Sequence, residues 1–246
     1  MIFLLLLLAH FIADFMLQDA AMANTKLKSR KVLFKHCLIY LVVITLVVSL
    51  YGNVVQVVLF SLFIVVSHFV VDAVRIMIQN KFSRSKKLEF NLFIVDQFIH
   101  ITILFVVSFF IQEKNFIGQF ISDINYTYLN INLFTAVVIA TAYVICLQPT
   151  GVLIKKIFMR IGHQEFDNEE ENKSGFLIGV LERICILTLA ILGQFTAISF
   201  VVAAKSLARI KQLEDKDFAE KYLVGTLLSV VVALICGIAV QKILSL

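Results

Sequence analysis

The chain has 246 residues, of which 60% are apolar and 16% charged, with a formal net charge of +5. Its apolar residues fall in runs long enough for membrane spans, which need about 18 or more, and this excludes a soluble globule and leaves little chain for an extramembrane domain. In such a chain an excess of Lys and Arg reads as membrane orientation, so no nucleic-acid partner is expected.

Apolar runs bounded by charge, Gly, Asn or Pro predict an all-α, polytopic transmembrane helical bundle of about eight spans. They lie near residues 2–22, 33–50, 54–78, 90–112, 132–158, 175–192, 194–211 and 222–243. Residues 1–112 form a four-helix core bearing His and Asp. Residues 113–246 form a second four-span half with an acidic cytoplasmic loop at 163–173. The first eight residues lack the basic start and small-residue cleavage site of a signal peptide, so they are kept as part of span one. Pro149, the single proline, and Gly151 predict a kink in span five. Residues 175–213 as one helix would measure about 57 Å, nearly twice the hydrocarbon thickness, so a break is expected at Gly193 and Gln194.

Orientation follows from the basic residues. Lys26 to Lys35, Arg75 to Lys87, Lys155 to Lys173 and Lys205 to Lys221 hold nineteen of the 22 Lys and Arg, and these four stretches all fall on one side. The positive-inside rule puts that side in the cytoplasm and both termini outside, in a bacterial inner membrane. The acidic run from Glu165 to Glu171 reads as solvated surface, and the connection from Phe116 to Asn132 as an outer loop. Cys37, Cys146, Cys185 and Cys236 lie in apolar runs without paired spacing and predict neither disulfides nor a thiolate metal site.

The ionisable groups inside the spans are the informative feature. Span one carries His10 and Asp14, span three His68 and Asp72, span four Asp96 and His100. Each pair is spaced four apart, which puts both side chains on one helical face. His36 opens span two, while His163 stands apart in a loop. With spans one and three running inward and two and four outward, all seven side chains in the spans fall in the cytoplasmic half at one depth. Gln18 and Gln97 lie near this layer as supporting hydrogen-bonding partners. Ala9 to Asp14 also matches Ser67 to Asp72 in pattern, a short sign of two parallel helical hairpins.

Each buried carboxylate costs on the order of 3 kcal/mol on membrane-insertion scales. A divalent cation would offset that cost and keep the imidazoles neutral as ligands. His10, Asp14, His36, His68, Asp72, Asp96 and His100 are therefore expected to hold a metal. The nitrogen and oxygen donors suit zinc first, with manganese or ferrous iron in range, as one ion with an open position or as two ions. Structural His-Asp hydrogen bonds and a proton relay are the competing readings.

His10, Asp14 and Gln18, the basic loop with His36, then His68 with Asp72 and Asp96-Gln97 with His100 resemble a bacterial multi-span membrane family catalogued only as a domain of unknown function, DUF3307. The likeness covers residues 1 to about 110. The second half, with Gly179 to Arg183, Lys205 to Arg209 and Gly225 to Ser229, looks like the extension of longer members. The family implies a membrane fold and no reaction. A more distant likeness of pattern connects the chain to bacterial membrane proteins labelled metal-dependent hydrolases.

In the second half, Glu182 and Arg183 in span six and Lys205 and Arg209 in span seven have two readings. One is an intramembrane ion pair with snorkelling cations. The other is an anion clamp of Arg183, Lys205 and Arg209 for a phosphate or lipid head group. The leading functional expectation is a membrane-embedded metal-dependent hydrolase, facing the cytoplasm, with a lipidic or amphipathic substrate and Asp96 as general base. The alternatives are a divalent-cation or proton transporter and a non-enzymatic scaffold or sensor. Membrane lipids are the expected surroundings, and no soluble partner or oligomeric state is legible.

Overall fold

The computed structural model describes residues 1–82, 85–111, 133–161 and 169–244. Every regular element among them is helical: α1 (Ile2–Phe11), a π turn (Ile12–Met16), α2 (Ala20–Lys26), α3 (Arg30–Ser49), α4 (Val54–Lys81), α5 (Lys86–Ser108), α6 (Leu133–Ile161), α7 (Glu169–Ile191), α8 (Phe195–Ala208), a 3-10 turn (Gln212–Glu214) and α9 (Lys216–Leu244). They form two compact units, Met1–Thr141 and Ala142–Leu246. His163, the first part of the acidic run and the connection 116–132 lie outside the described residues. The rest of the predicted acidic loop is helical, because α7 starts at Glu169.

Among the described residues, α3, α4, α5, α6, α9 and Ser174–Ile191 of α7 are each long and apolar enough to cross a membrane. The chain is a multi-pass membrane protein. Leu46, Phe63, Val66 and Phe98 on the outward faces are all more than half exposed, an arrangement suited to lipid tails and unfavourable in water.

Eight spans were expected; six helices have crossing length, and the first and seventh spans are shorter apolar helices, Ile2–Met16 and Phe195–Ala208. At 1.5 Å per residue they reach about 22 and 21 Å, against a hydrocarbon core of about 30 Å. The first stops early because Asp19 caps a separate helix, its carboxylate accepting the Met22 N–H at 2.6 Å. Residues 17–22 thus belong to a turn and to α2.

The break expected at Gly193 and Gln194 is present. Gly193 takes φ of +70°. Its N–H donates to Ala190 O at 3.1 Å and that of Gln194 to Leu189 O at 2.8 Å, the paired bonds of a Schellman cap. A side chain at position 193 would be strained in this left-handed conformation. By contrast α6 continues through Pro149. Proline has no N–H for the Ile145 carbonyl, and the Thr150 hydroxyl donates to that oxygen at 2.7 Å instead.

In the first unit α1 packs on α3 and α5, α3 on α4, and α4 on α5, which closes a four-helix ring. Leu6, Ile44, Val48, Ile64 and Leu104 are buried together at one end of the ring. The polar pairs lie one to two turns from them along each helix, away from that end. In the second unit α7 and α9 pack closely, with Gly237 against Ala190, an approach that only small side chains permit.

Candidate metal centre

Each helix of the ring presents two polar side chains four residues apart. α1 and its π turn bring His10 and Asp14, α3 His36 and Tyr40, α4 His68 and Asp72, and α5 Asp96 and His100. Ring closure turns these faces inward. Seven of the eight residues are buried and Asp14 is partly buried, its side chain 8% exposed.

Four atoms converge at the middle. His36 Nε2 and His68 Nε2 are 3.1 Å apart. Asp14 Oδ1 lies 3.3 Å from the first and 3.4 Å from the second. Asp72 Oδ2 lies 3.8 and 3.5 Å from the same two nitrogens. Two ligand atoms bound to one ion by tetrahedral bonds of about 2.0 Å lie about 3.3 Å apart, close to these five separations.

Hydrogen bonding accounts for the arrangement poorly. Two imidazole nitrogens that face each other share at most one proton, and Asp14 Oδ1 is buried with no hydrogen bond of good geometry among the described residues. The Nδ1 atoms of His36 and His68 also lack one among the described residues. Each unsatisfied buried group costs about 1–3 kcal/mol, and a cation shared by the converging atoms would satisfy the Asp14 oxygen.

Position 14 owes its aim to the backbone. Ile12–Met16 is a π turn, closed by the Leu17 N–H on Ile12 O at 2.9 Å. Such single wide turns are frequent at functional sites. Asp14 Oδ2 stays 3.9 Å from His10 Nδ1, while Oδ1 reaches across to α3 and α4.

Neighbouring groups hold the central ones. The His68 ring is sandwiched between Tyr40, at 3.9 Å between centroids, and His100, at 4.2 Å. His10 is engaged elsewhere: Tyr40 Oη lies 3.1 Å from its Nδ1 and Gln97 Oε1 3.3 Å from its Nε2. Since Gln97 Oε1 only accepts, His10 Nε2 donates and Nδ1 takes the tyrosine proton. Asp96 Oδ2 accepts from Arg75 Nη1 at 3.1 Å and from Gln97 Nε2 at 3.3 Å. That leaves Asp96 Oδ1 unbonded, 3.5 Å from His100 Nε2.

Asp72, Asp96 and His100 form an adjoining group whose ligand atoms lie within 4.8 Å of one another, as do those of His10, Asp14 and His68. The seven residues expected from the sequence therefore meet in one cluster. His36, His68, Asp14 and Asp72 sit at its centre and His10, Asp96 and His100 around it. Both glutamines take supporting positions, Gln97 between His10 and Asp96, and Gln18 as acceptor for Lys26 Nζ at 3.2 Å.

The family model described as "Protein of unknown function (DUF3307)" matches residues 2–129. The chain belongs to the DUF3307 family. No curated protein and no solved structure matches it. The DUF3307 segment contains every member of the cluster, and its family description specifies no chemistry.

Sequence reasoning missed three members. Tyr40 lay in an apolar run, although its spacing of four from His36 repeats that of the His-Asp pairs. Lys26 and Arg75 were counted only as orienting charges. Lys26 is buried and its Nζ lies 2.7 Å from Asp72 Oδ2, while Arg75 is bonded to Asp96. The cations expected to clamp an anion have protein partners. Arg183 Nε donates to Cys146 O at 2.6 Å and its Nη2 to Leu147 O at 3.0 Å. Lys205 pairs with Glu182 and donates to Thr226 Oγ1 at 2.9 Å. Arg209 donates to Gln212 Oε1 at 3.1 Å.

Proposed function

We propose that this DUF3307 protein is a membrane-embedded, metal-dependent hydrolase acting on a lipidic or amphipathic substrate from the cytoplasmic side of a bacterial inner membrane. The observation that carries the reading is the approach of His36 Nε2, His68 Nε2, Asp14 Oδ1 and Asp72 Oδ2 at separations of 3.1 to 3.8 Å, with buried donors left unpaired. Zinc suits this pair of imidazoles and carboxylates best, with manganese and iron as alternatives. On this reading the basic stretches face the cytoplasm, and the two short helices complete eight passes with both termini outside.

A divalent cation there would supply a bound water acidic enough to lose a proton near neutral pH. The chain's own groups fit the remaining tasks. Asp96 is oriented through one oxygen by Arg75 and Gln97, and its other oxygen is unbonded, the arrangement of a general base. Stacking on Tyr40 and His100 fixes the His68 ring, and the bonds from Tyr40 and Gln97 fix the His10 tautomer. At the far end of the ring, Leu6, Ile44, Val48, Ile64 and Leu104 pack against one another with only the Ser61 and Tyr51 hydroxyls buried beside them and no buried charged side chain among the described residues there, which favours one-sided chemistry over transport.

The test is metal content and turnover of detergent-purified full-length protein. We expect about one zinc per chain, lost in His68→Ala and Asp72→Ala, and metal-dependent cleavage of an ester-linked amphiphile. Wild-type protein that folds but neither contains nor takes up a divalent ion defeats the proposal.

A further inference from the structure

We infer that Lys26 and Arg75 form an anion subsite of this centre, which receives the phosphate group of the substrate once a divalent cation holds Asp72. The inference rests on the metal reading above and adds the chemical class of the ligand.

Charge balance is the first argument. Asp14, Asp72 and Asp96 meet Lys26 and Arg75 within the cluster, three negative groups against two positive. With the imidazoles neutral, the cluster carries one net negative charge, and a dication turns this into one net positive charge. A buried site in a membrane tolerates an uncompensated charge poorly, so the loaded centre calls for an anion, either the hydroxide left when bound water loses its proton or an anionic group of the substrate.

Geometry says where the anion would bind. Lys26 Nζ lies on Asp72 Oδ2, the same oxygen that faces the two central imidazoles. A cation on that oxygen competes with the ammonium, which retains Gln18 Oε1 and has other donors to offer. Arg75 is held through Nη1 by Asp96, while its Nε is buried without a hydrogen-bond partner among the described residues. Two cations from separate helices, each with spare donors at the rim of the cluster, are suited to phosphate oxygens.

The experiment uses full-length protein in detergent. Zinc is titrated first, then inorganic phosphate, short-chain phosphatidic acid and the matching neutral diacylglycerol, against wild type, Lys26→Met and Arg75→Met. We expect zinc to bind Lys26→Met at least as tightly as wild type, because a competing cation is gone. Phosphate or phosphatidic acid should bind each variant about ten- to hundredfold more weakly, the loss of one charge-assisted hydrogen bond. Tighter binding of phosphatidic acid than of phosphate identifies a lipid head group, and equal binding a soluble phosphate; either supports the subsite.

Unchanged phosphate and phosphatidic acid affinity in both variants overturns it, as does equal binding of the neutral diacylglycerol. Weaker zinc binding in Lys26→Met also overturns it, by making the lysine a structural support. Absence of zinc binding in the wild type brings down the metal reading itself, and so is distinguishable from these results.

Discussion

Both units bury charged side chains among apolar helices, but they dispose of them differently. In Ala142–Leu246 the charges meet complementary partners, although Glu182 Oε1 and Tyr222 Oη have none among the described residues: Arg183 donates to the carbonyls of Cys146 and Leu147, one turn before Pro149, and Lys205 meets Glu182 and Thr226. In Met1–Thr141 the central groups are alike, two imidazole nitrogens and two carboxylate oxygens crowded together with several atoms unbonded. Buried charge alone does not mark a site. Groups that satisfy one another support a fold, whereas a convergence of like donors implies a ligand.

The sharpest way to break this contrast is to remove a central ligand. His68→Ala should weaken zinc binding more than a hundredfold, beyond the roughly 10–100-fold typical of outer-shell changes, as read by metal titration. Its thermal stability without metal should change far less. Next, Arg183→Met should destabilise the protein by about 3 kcal/mol in detergent unfolding, because two buried carbonyls lose their donors, while zinc content stays at the wild-type level.

Lys205→Met should cost about 2 kcal/mol by stranding Glu182, and adding Glu182→Met should recover much of the loss, as expected when both members of a buried pair are replaced. No such recovery of zinc binding should follow from pairing His68→Ala with Asp72→Ala. The smallest effect is expected from Tyr40→Phe, which removes the hydroxyl at His10 and leaves the stack on His68. Zinc affinity should fall about tenfold and stability by about 1 kcal/mol.

The polar layer was legible because helical spacing converts letters into faces: a gap of four between His68 and Asp72 fixes their relation wherever the helix lies. Antiparallel succession then put the four helices' polar groups at one depth. Lys26 was illegible as a site residue because only the start of α2 fell at the end of the expected first span, and a lysine opening a basic loop already had an explanation. Arg183 was read as a partner of Glu182 or of an anion because its actual partners are backbone carbonyls near Pro149, which no letter in the sequence represents. Span lengths failed at residues 17–22, where hydropathy continues but Asp19 starts a new helix.

The wide turn at Ile12–Met16 has a consequence for anyone editing or aligning this segment. It works as a one-residue phase insert: were the same residues wound as an ordinary helix, everything after the turn would be rotated by about 100° relative to α1. Asp14 would then swing off the axis of the ring although every His and Asp was retained. Keeping the same residues is therefore not enough at this place; how the chain winds between His10 and Leu17 decides where Asp14 points.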